Sequence, residues 1–400
     1  KAFNPDMALA VVMDPNTGEI LAMSSRPTYD PNNYQNYTME VLSRNLPIWA
    51  SYEPGSTFKI TTFAAALEEN LIDMDNDHFY DSGSVHIGGA RIGCWKAGGH
   101  GDQTYLQVLQ NSCNPGFVKL GQMLGKEKLF SYLDLFGFGS KTGIDLNGES
   151  KGIIFPMEKV GELELVTTAF GQGVSVTPIQ QVTAVSSIVN GGNLYKPYVV
   201  KGILEPETNT MIQENKPTLV RNTISEATSL KMRRALESVV ALGGGKAAYI
   251  DGYRVGGKTG TAQKVENGRY LVGNYIMSFM SVVPSNNPQA VLYIALDNPK
   301  NTALLSSYTT TPIARRVLLD IIDALKIEKQ EGQIEKDYTW EDKVYYEVPN
   351  VEGLEVKEAK KLLTNWKIEY AGSGNKVISQ SPKAGERLAA DDTIVLMLGN

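Results

Sequence analysis

Four hundred residues, 42% hydrophobic and 20% charged, suffice for two or three packed domains and exclude a disordered or coiled-coil chain. With 44 acids against 38 bases, a net charge of −6 leaves no basic field for nucleic acid. Two cysteines exclude a disulfide scaffold and a four-cysteine zinc site, and no apolar run reaches the roughly eighteen residues of a membrane span.

The chain opens on Lys1 rather than methionine, which reads as a piece of a longer protein. Its start predicts a hairpin: apolar residues 7–13, the turn Asp14-Pro15-Asn16-Thr17-Gly18, then apolar residues 20–23. Pro54-Gly55 precedes an Ala- and Leu-rich helical stretch over 56–70. Residues 81–102 are glycine-rich and read as a loop or irregular ribbon. Helical patterns follow at 104–111, 115–125, 127–136, 177–190 and 226–242. Strand patterns occupy 253–265, 270–283 and 289–297, and a closing helix is expected over 311–327. Strands at both ends with helices between predict one α+β domain over 1–327, its sheet completed by sequence-distant segments around a helical insert. The charged stretch 328–345 reads as a linker. Residues 346–400 form a small unit, with a helix at 356–364 and extended segments at 366–370, 376–380 and 393–398.

Three short motifs carry chemistry. Ser56-Thr57-Phe58-Lys59 opens a helical stretch, and residues three apart share a helical face, so Lys59 can reach the Ser56 hydroxyl. A serine hydroxyl needs a nearby base, and a lysine serves once burial or a neighbouring cation lowers its pKa. Ser112-Cys113-Asn114 sits between two helical stretches, where Ser112 can relay protons and Asn114 can donate to an amide; both types are also common helix caps. Lys258-Thr259-Gly260-Thr261 follows Gly256-Gly257 in a strand pattern. Small residues at a strand edge admit an extended peptide, and lysine and hydroxyls suit a carboxylate. Taken singly, each motif also fits a solvated lysine, a cap or a protected edge strand.

In this order the motifs resemble those of penicillin-recognising serine enzymes. The chain is similar to the transpeptidase domain of class B penicillin-binding proteins over 7–325. The similarity extends through Asp14-Pro15-Asn16-Thr17-Gly18-Glu19-Ile20-Leu21-Ala22-Met23, Tyr29-Asp30-Pro31-Asn32, Glu53-Pro54-Gly55, Phe170-Gly171-Gln172-Gly173 with Thr177-Pro178, and Ala262-Gln263 after the third motif. Val348-Pro349-Asn350-Val351 and Ser379-Gln380-Ser381-Pro382-Lys383-Ala384-Gly385 resemble one small α/β PASTA domain over 346–400. The single module and Trp49-Ala50-Ser51-Tyr52-Glu53-Pro54 point to the sporulation branch, with a vegetative division enzyme as the rival.

The resemblance implies the penicillin-binding transpeptidase fold and a cofactor-free serine acyltransferase acting on peptidoglycan stem peptides. Ser56 would be the nucleophile, Lys59 its base, and Ser112 and Lys258 the route for a proton to the leaving group. Asn114 would hold the substrate amide, the backbone N–H groups of Ser56 and Thr261 an oxyanion, and Lys258, Thr259 and Thr261 the terminal carboxylate, with Gly260 substrate-binding beside them. β-Lactams would be covalent inhibitors. A membrane-embedded peptidoglycan glycosyltransferase would be a partner, and the site would lie on the extracytoplasmic face of the membrane, anchored by a preceding segment. A β-lactam-sensing receptor and a wall-binding scaffold are the alternatives.

Cys113 stands where the family pattern carries aspartate, and no Glu-x-x-x-Asn follows Asn114, which disfavours a β-lactamase. Cys94 and Cys113 form a possible redox pair, weighed against reduced packing residues and a permanent bridge. His78, His86 and His100 with Cys94 and Asp102 match no metal-ligand spacing, so no metal site is expected. Trp49, Trp95, Trp340 and Trp366 read as packing residues.

Overall fold

Neighbouring residues of the first strand enter different cores. In β1 (Met7–Met13), Val11 and Met13 join one hydrophobic cluster while Val12 joins another, as the two-residue period of a strand requires. The computed structural model describes residues 3–266, 268–300, 306–336, 345–389 and 392–399. Two units emerge, Lys1–Lys336 and Asp337–Asn400.

After β1, the elements that position the site are β2 (Ile20–Arg26), α1 (Lys59–Glu68), β3 (His78–Asp81), β4 (Ser84–Ile87), β5 (Ala90–Gly93), β6 (Gly101–Thr104), α2 (Tyr105–Gln110), α3 (Asn114–Leu135), α4 (Glu162–Ala169), α5 (Pro178–Val189), α6 (Glu226–Leu242), β7 (Gly256–Glu266), β8 (Arg269–Val283), β9 (Ala290–Asp297) and α7 (Ser306–Ala324). The main sheet is antiparallel in the order β7-β8-β9-β1-β2. The expected closure by distant segments therefore occurs between β1 and β9, where Val11 faces Tyr293. β9 is apolar on both faces because both are covered: Val291, Tyr293 and Ala295 meet the helical insert, and Leu292 and Ile294 meet α7.

Helices depart from the sequence pattern in several places. The two patterns at 115–125 and 127–136 merge into α3, kinked at Gly125 with φ +70. α4 carries no strong pattern and is not predicted. α7 begins at Ser306 rather than 311, because Pro312 lies inside its first turns and not at its start. The glycine-rich ribbon contains two small antiparallel pairs, β3 with β6 and β4 with β5.

Part of the expected linker is docked. Gln333 Nε2 donates to the carbonyls of Ile250 at 2.9 Å and Tyr253 at 2.8 Å. The Ile334 N–H donates to Glu237 Oε1 at 3.0 Å. Residues 337–344, with Trp340, lie outside the described residues.

In the small unit, Thr393–Gly399 is central, parallel to Lys367–Gly372 and antiparallel to Lys376–Ser381. Val348, Val351, Ala359, Leu363, Trp366, Val377, Ile394 and Leu396 form its core, so Trp366 packs as expected. Among the described residues no helix is long and apolar enough to cross a membrane.

Candidate active site

Ser56 lies on a 3-10 turn, Gly55–Phe58, that runs directly into α1, not on the α-helix expected over 56–70. The Gly55 N–H donates to the Gly171 carbonyl at 3.0 Å, and the Gly173 N–H donates to Glu53 Oε1 at 2.8 Å. The Phe170-Gly171-Gln172-Gly173 segment is therefore a brace for the turn that carries Ser56. On the other side, the Thr57 hydroxyl donates toward Gln181 Oε1 at 2.7 Å and the Pro54 carbonyl at 3.0 Å.

Lys59 is fully buried at the start of α1. Its Nζ donates to the Ser112 carbonyl at 2.8 Å, Ser112 Oγ at 3.2 Å and Asn114 Oδ1 at 2.6 Å. Those contacts occupy all the protons of an ammonium, and among the described residues Lys59 makes no hydrogen bond to the Ser56 hydroxyl. Burial pulls its pKa down to about 7, against an upward pull from Cys113 and Cys94. Lys59 is thus poised to exchange a proton near neutrality.

The Ser112-Cys113-Asn114 turn joins α2 to α3. Ser112 adopts φ +53, a left-handed conformation that costs a non-glycine residue on the order of 1 kcal/mol. Backbone bonds hold it there: Ser112 N–H to the Leu109 carbonyl at 3.1 Å and Cys113 N–H to that of Val108 at 3.0 Å.

Lys258 projects from the edge strand β7 and is also fully buried. Its Nζ donates to Ser112 Oγ at 2.8 Å and to the Thr259 carbonyl at 3.1 Å. Burial, and then the positive charge of Lys59, holds its pKa well below the ordinary lysine value. Two buried amines therefore converge on one hydroxyl oxygen, which accepts from both and keeps its own proton to give. Gly260 is required by packing: an added Cβ would lie 2.9 Å from Thr57 Cγ2 and 3.2 Å from the Pro54 carbonyl. The third motif thereby lies against the turn bearing Ser56. Thr261 is half-buried, and its Oγ1 lies 2.8 Å from Ser306 Oγ.

Beneath the Ser-Cys-Asn turn, Asp81, Cys94, His100 and Cys113 place four donor atoms all within 4.8 Å of one another. Cys113 Sγ donates to Asp81 Oδ2 at 3.3 Å, and His100 Nδ1 lies 3.0 Å from Asp81 Oδ2 and 3.2 Å from Cys94 Sγ. Two sulfurs, an imidazole nitrogen and a carboxylate oxygen are a donor set that suits a tetrahedral divalent ion such as zinc. Sequence spacing does not reveal it, because the ribbon folds Asp81 and Cys113 into a group that excludes His78 and Asp102, which pair with each other at 2.8 Å. The neighbouring Cys113 thiol is the main reason the Cys94 thiol is held down to about 6, and the same contact pushes the Cys113 thiol up. Both cysteines are free.

Trp95, expected to pack, is 61% exposed, and its Nε1 donates to the Asn111 carbonyl at 2.6 Å. Ser306 and Asp81 join the site without a sequence signal: one lies ahead of the expected helix start, the other is a single acid in a glycine-rich ribbon.

Residues 8–320 match the penicillin binding protein transpeptidase domain, and residues 346–400 match the PASTA domain. The chain is 53% identical over 396 residues to stage V sporulation protein D of Bacillus subtilis (strain 168), covering 99% of this chain and 61% of that protein. It is 30% identical over 330 residues to peptidoglycan D,D-transpeptidase FtsI of Escherichia coli (strain K12), covering 82% and 53%. The chain thus spans less than two thirds of the length of these curated relatives. Among solved structures, penicillin binding protein 3 of Mycobacterium tuberculosis, complexed with aztreonam, superposes with a TM-score of 0.76 at 28% identity, covering 84% of this chain and 77% of that one. With the three motifs assembled around Ser112 and the matched segment spanning the whole sheet and insert, the chain belongs to the penicillin-binding protein transpeptidase family.

Proposed function

We propose that the protein is a serine-type D,D-transpeptidase that cross-links peptidoglycan stem peptides during sporulation, with formation of the spore cortex as its setting. The observation that carries this reading is the convergence of Lys59 and Lys258 on Ser112 Oγ, at 3.2 and 2.8 Å, beside the turn that bears Ser56. The relative named for stage V sporulation supports the setting.

In this reading neutral Lys59 takes the Ser56 hydroxyl proton, and Oγ attacks the carbonyl carbon of the penultimate D-alanine. The backbone N–H groups of Ser56 and Thr261 hold the oxyanion. When the C–N bond breaks, Ser112 gives its proton to the departing amine and is resupplied by Lys258 or Lys59. The amine of a neighbouring stem then attacks the ester, its proton returns through the same groups, and Ser56 leaves as the hydroxyl. Asn114 holds the substrate amide, while Lys258, Thr259, Gly260 and Thr261 receive the terminal carboxylate. A β-lactam enters the same path and remains as the ester; the mycobacterial relative is known complexed with aztreonam. The partner in this setting is a membrane-embedded glycosyltransferase, and the site faces the extracytoplasmic side of the membrane.

Fluorescent penicillin should label the protein and fail to label Ser56→Ala. Purified protein given a stem-peptide donor and an amine acceptor should form the cross-linked amide. Labelling without cross-linking would make it a sensor, and no labelling would make it a scaffold.

A further inference from the structure

We infer that Ser306 is a positioning residue that withholds the Thr261 hydroxyl proton from a ligand's carboxylate, and so sets how strongly carboxylate-bearing ligands engage the site. The inference rests on the reading above in which Thr261 receives that carboxylate.

The assignment follows from counting protons. Ser306 is 2% exposed, and its hydroxyl bonds to the carbonyl of Gly260. A carbonyl only accepts, and a serine hydroxyl has one proton, so that proton is committed to Gly260. The remaining contact, Thr261 Oγ1 to Ser306 Oγ at 2.8 Å, then has one possible polarity: Thr261 donates and Ser306 accepts. Thr261 also has a single proton. Its half-buried oxygen therefore offers the site only lone pairs, which repel an anion instead of binding it.

Ser306 is also held in place. The buried hydroxyls of Thr310 and Thr311 both donate to the Ser306 carbonyl at 3.1 Å, fixing the turn that carries the acceptor. A carboxylate engaging Thr261 must first take the Thr261 proton from Ser306. Breaking one neutral hydrogen bond is worth roughly a fivefold factor. Neither Lys258 nor Thr259 is subject to this toll, so the carboxylate-dependent part of removing Ser306's hydroxyl should run through Thr261, while the lost bond to the Gly260 carbonyl should move charged and uncharged ligands together, which the ester reads.

Second-order acylation rate constants for benzylpenicillin and its methyl ester test this on the whole chain, in wild type, Ser306→Ala, Thr261→Val and the double variant. Ser306→Ala should acylate roughly fivefold faster with benzylpenicillin and show little change with the uncharged ester. The gain should vanish in the Thr261→Val background. Ser306→Cys, which keeps the bulk but accepts weakly, should reproduce the gain and guards against a packing defect in the alanine variant. If Thr261→Val slows benzylpenicillin while Ser306→Ala is neutral or slower, the inference is overturned and the role of Thr261 stands. If Thr261→Val acylates normally, the carboxylate reading itself fails, and the inference with it.

Discussion

Lys258 Nζ donates to Ser112 Oγ at 2.8 Å across a distance of 146 residues in sequence, joining the edge strand to the turn between α2 and α3. Because Lys59 meets the same oxygen at 3.2 Å, removing the hydroxyl separates the two amines without disturbing either helix or strand. Ser112→Ala should therefore slow acylation by about 10²- to 10⁴-fold, the range for a lost proton-transfer group. Its thermal stability should stay near that of wild type, since the left-handed backbone is kept. Stopped-flow acylation beside a melting curve checks both, and a drop in melting temperature large enough to explain the rate would remove Ser112 from the relay.

The second prediction concerns pH. Burial holds Lys59 down to about 7, and only its neutral form can accept the Ser56 proton. Acylation should accordingly rise tenfold per unit as pH increases toward 7 and level off above it. An unperturbed lysine would place the plateau above about 10.4. Lys59→Arg, whose guanidinium stays protonated, should be inactive across the range. A rate profile flat between pH 5 and 9 would remove Lys59 as the titrating base.

Glu237 supports the third. It is 2% exposed, receives two bonds from Arg254 Nε at 3.1 and 3.0 Å and one from Nη2 at 2.8 Å, accepts the Ser285 hydroxyl at 2.6 Å, and takes the Ile334 N–H. Glu237→Ala would leave the Arg254 guanidinium without its counter-charge, an effect worth about 3–5 kcal/mol for a buried pair and less here, where the Arg254 side chain is 22% exposed. A protein ending at residue 336 should be more stable than one ending at 327 by ~1–3 kcal/mol, from the Gln333 and Ile334 bonds. Urea unfolding of the two truncations measures the difference; equal midpoints would mean that the docked strap contributes nothing.

That strap marks a limit of reading from sequence. Residues 328–336 are polar and charged like a linker, and what docks them is a handful of backbone-directed hydrogen bonds that leave no periodic trace. The hairpin, the late strands and the three short motifs are legible because each depends on local pattern: alternation, turn residues or fixed spacing. Ser306 is not, since its role arises from a helix that starts six residues before its proline, Pro312. Asp81 is not, since a lone buried acid acquires meaning only when His100 and Cys113 are folded onto it. The spacing of Lys59 from Ser56 reads as a base beside a hydroxyl, yet its engagement with Ser112 and Asn114 instead of Ser56 depends on side-chain direction, which spacing does not determine.

The fourth prediction returns to the cysteines, which we propose as a redox pair acting on the site. Their sulfurs lie within 4.8 Å, close enough that modest motion of the glycine-rich ribbon reaches bonding distance. The Cys94 thiol is held below its ordinary value, which favours the thiolate, the form that reacts. A disulfide oxidant such as oxidised glutathione would accept the two electrons, leaving two reduced glutathione molecules and one Cys94–Cys113 bond. That bond would draw Cys113 away from Asp81 and move Ser112 and Asn114, the acceptors of Lys59. Acylation by benzylpenicillin should fall by about 10²-fold, the scale of a displacement near 1 Å at a catalytic group, and recover on reduction. Cys94→Ser should be insensitive to the oxidant. Zinc added beforehand should slow bridge formation, because both sulfurs would then be ligands beside Asp81 and His100. Mass spectrometry of the oxidised protein identifies the bridge, and a bridge that forms with no change in acylation would sink the redox role.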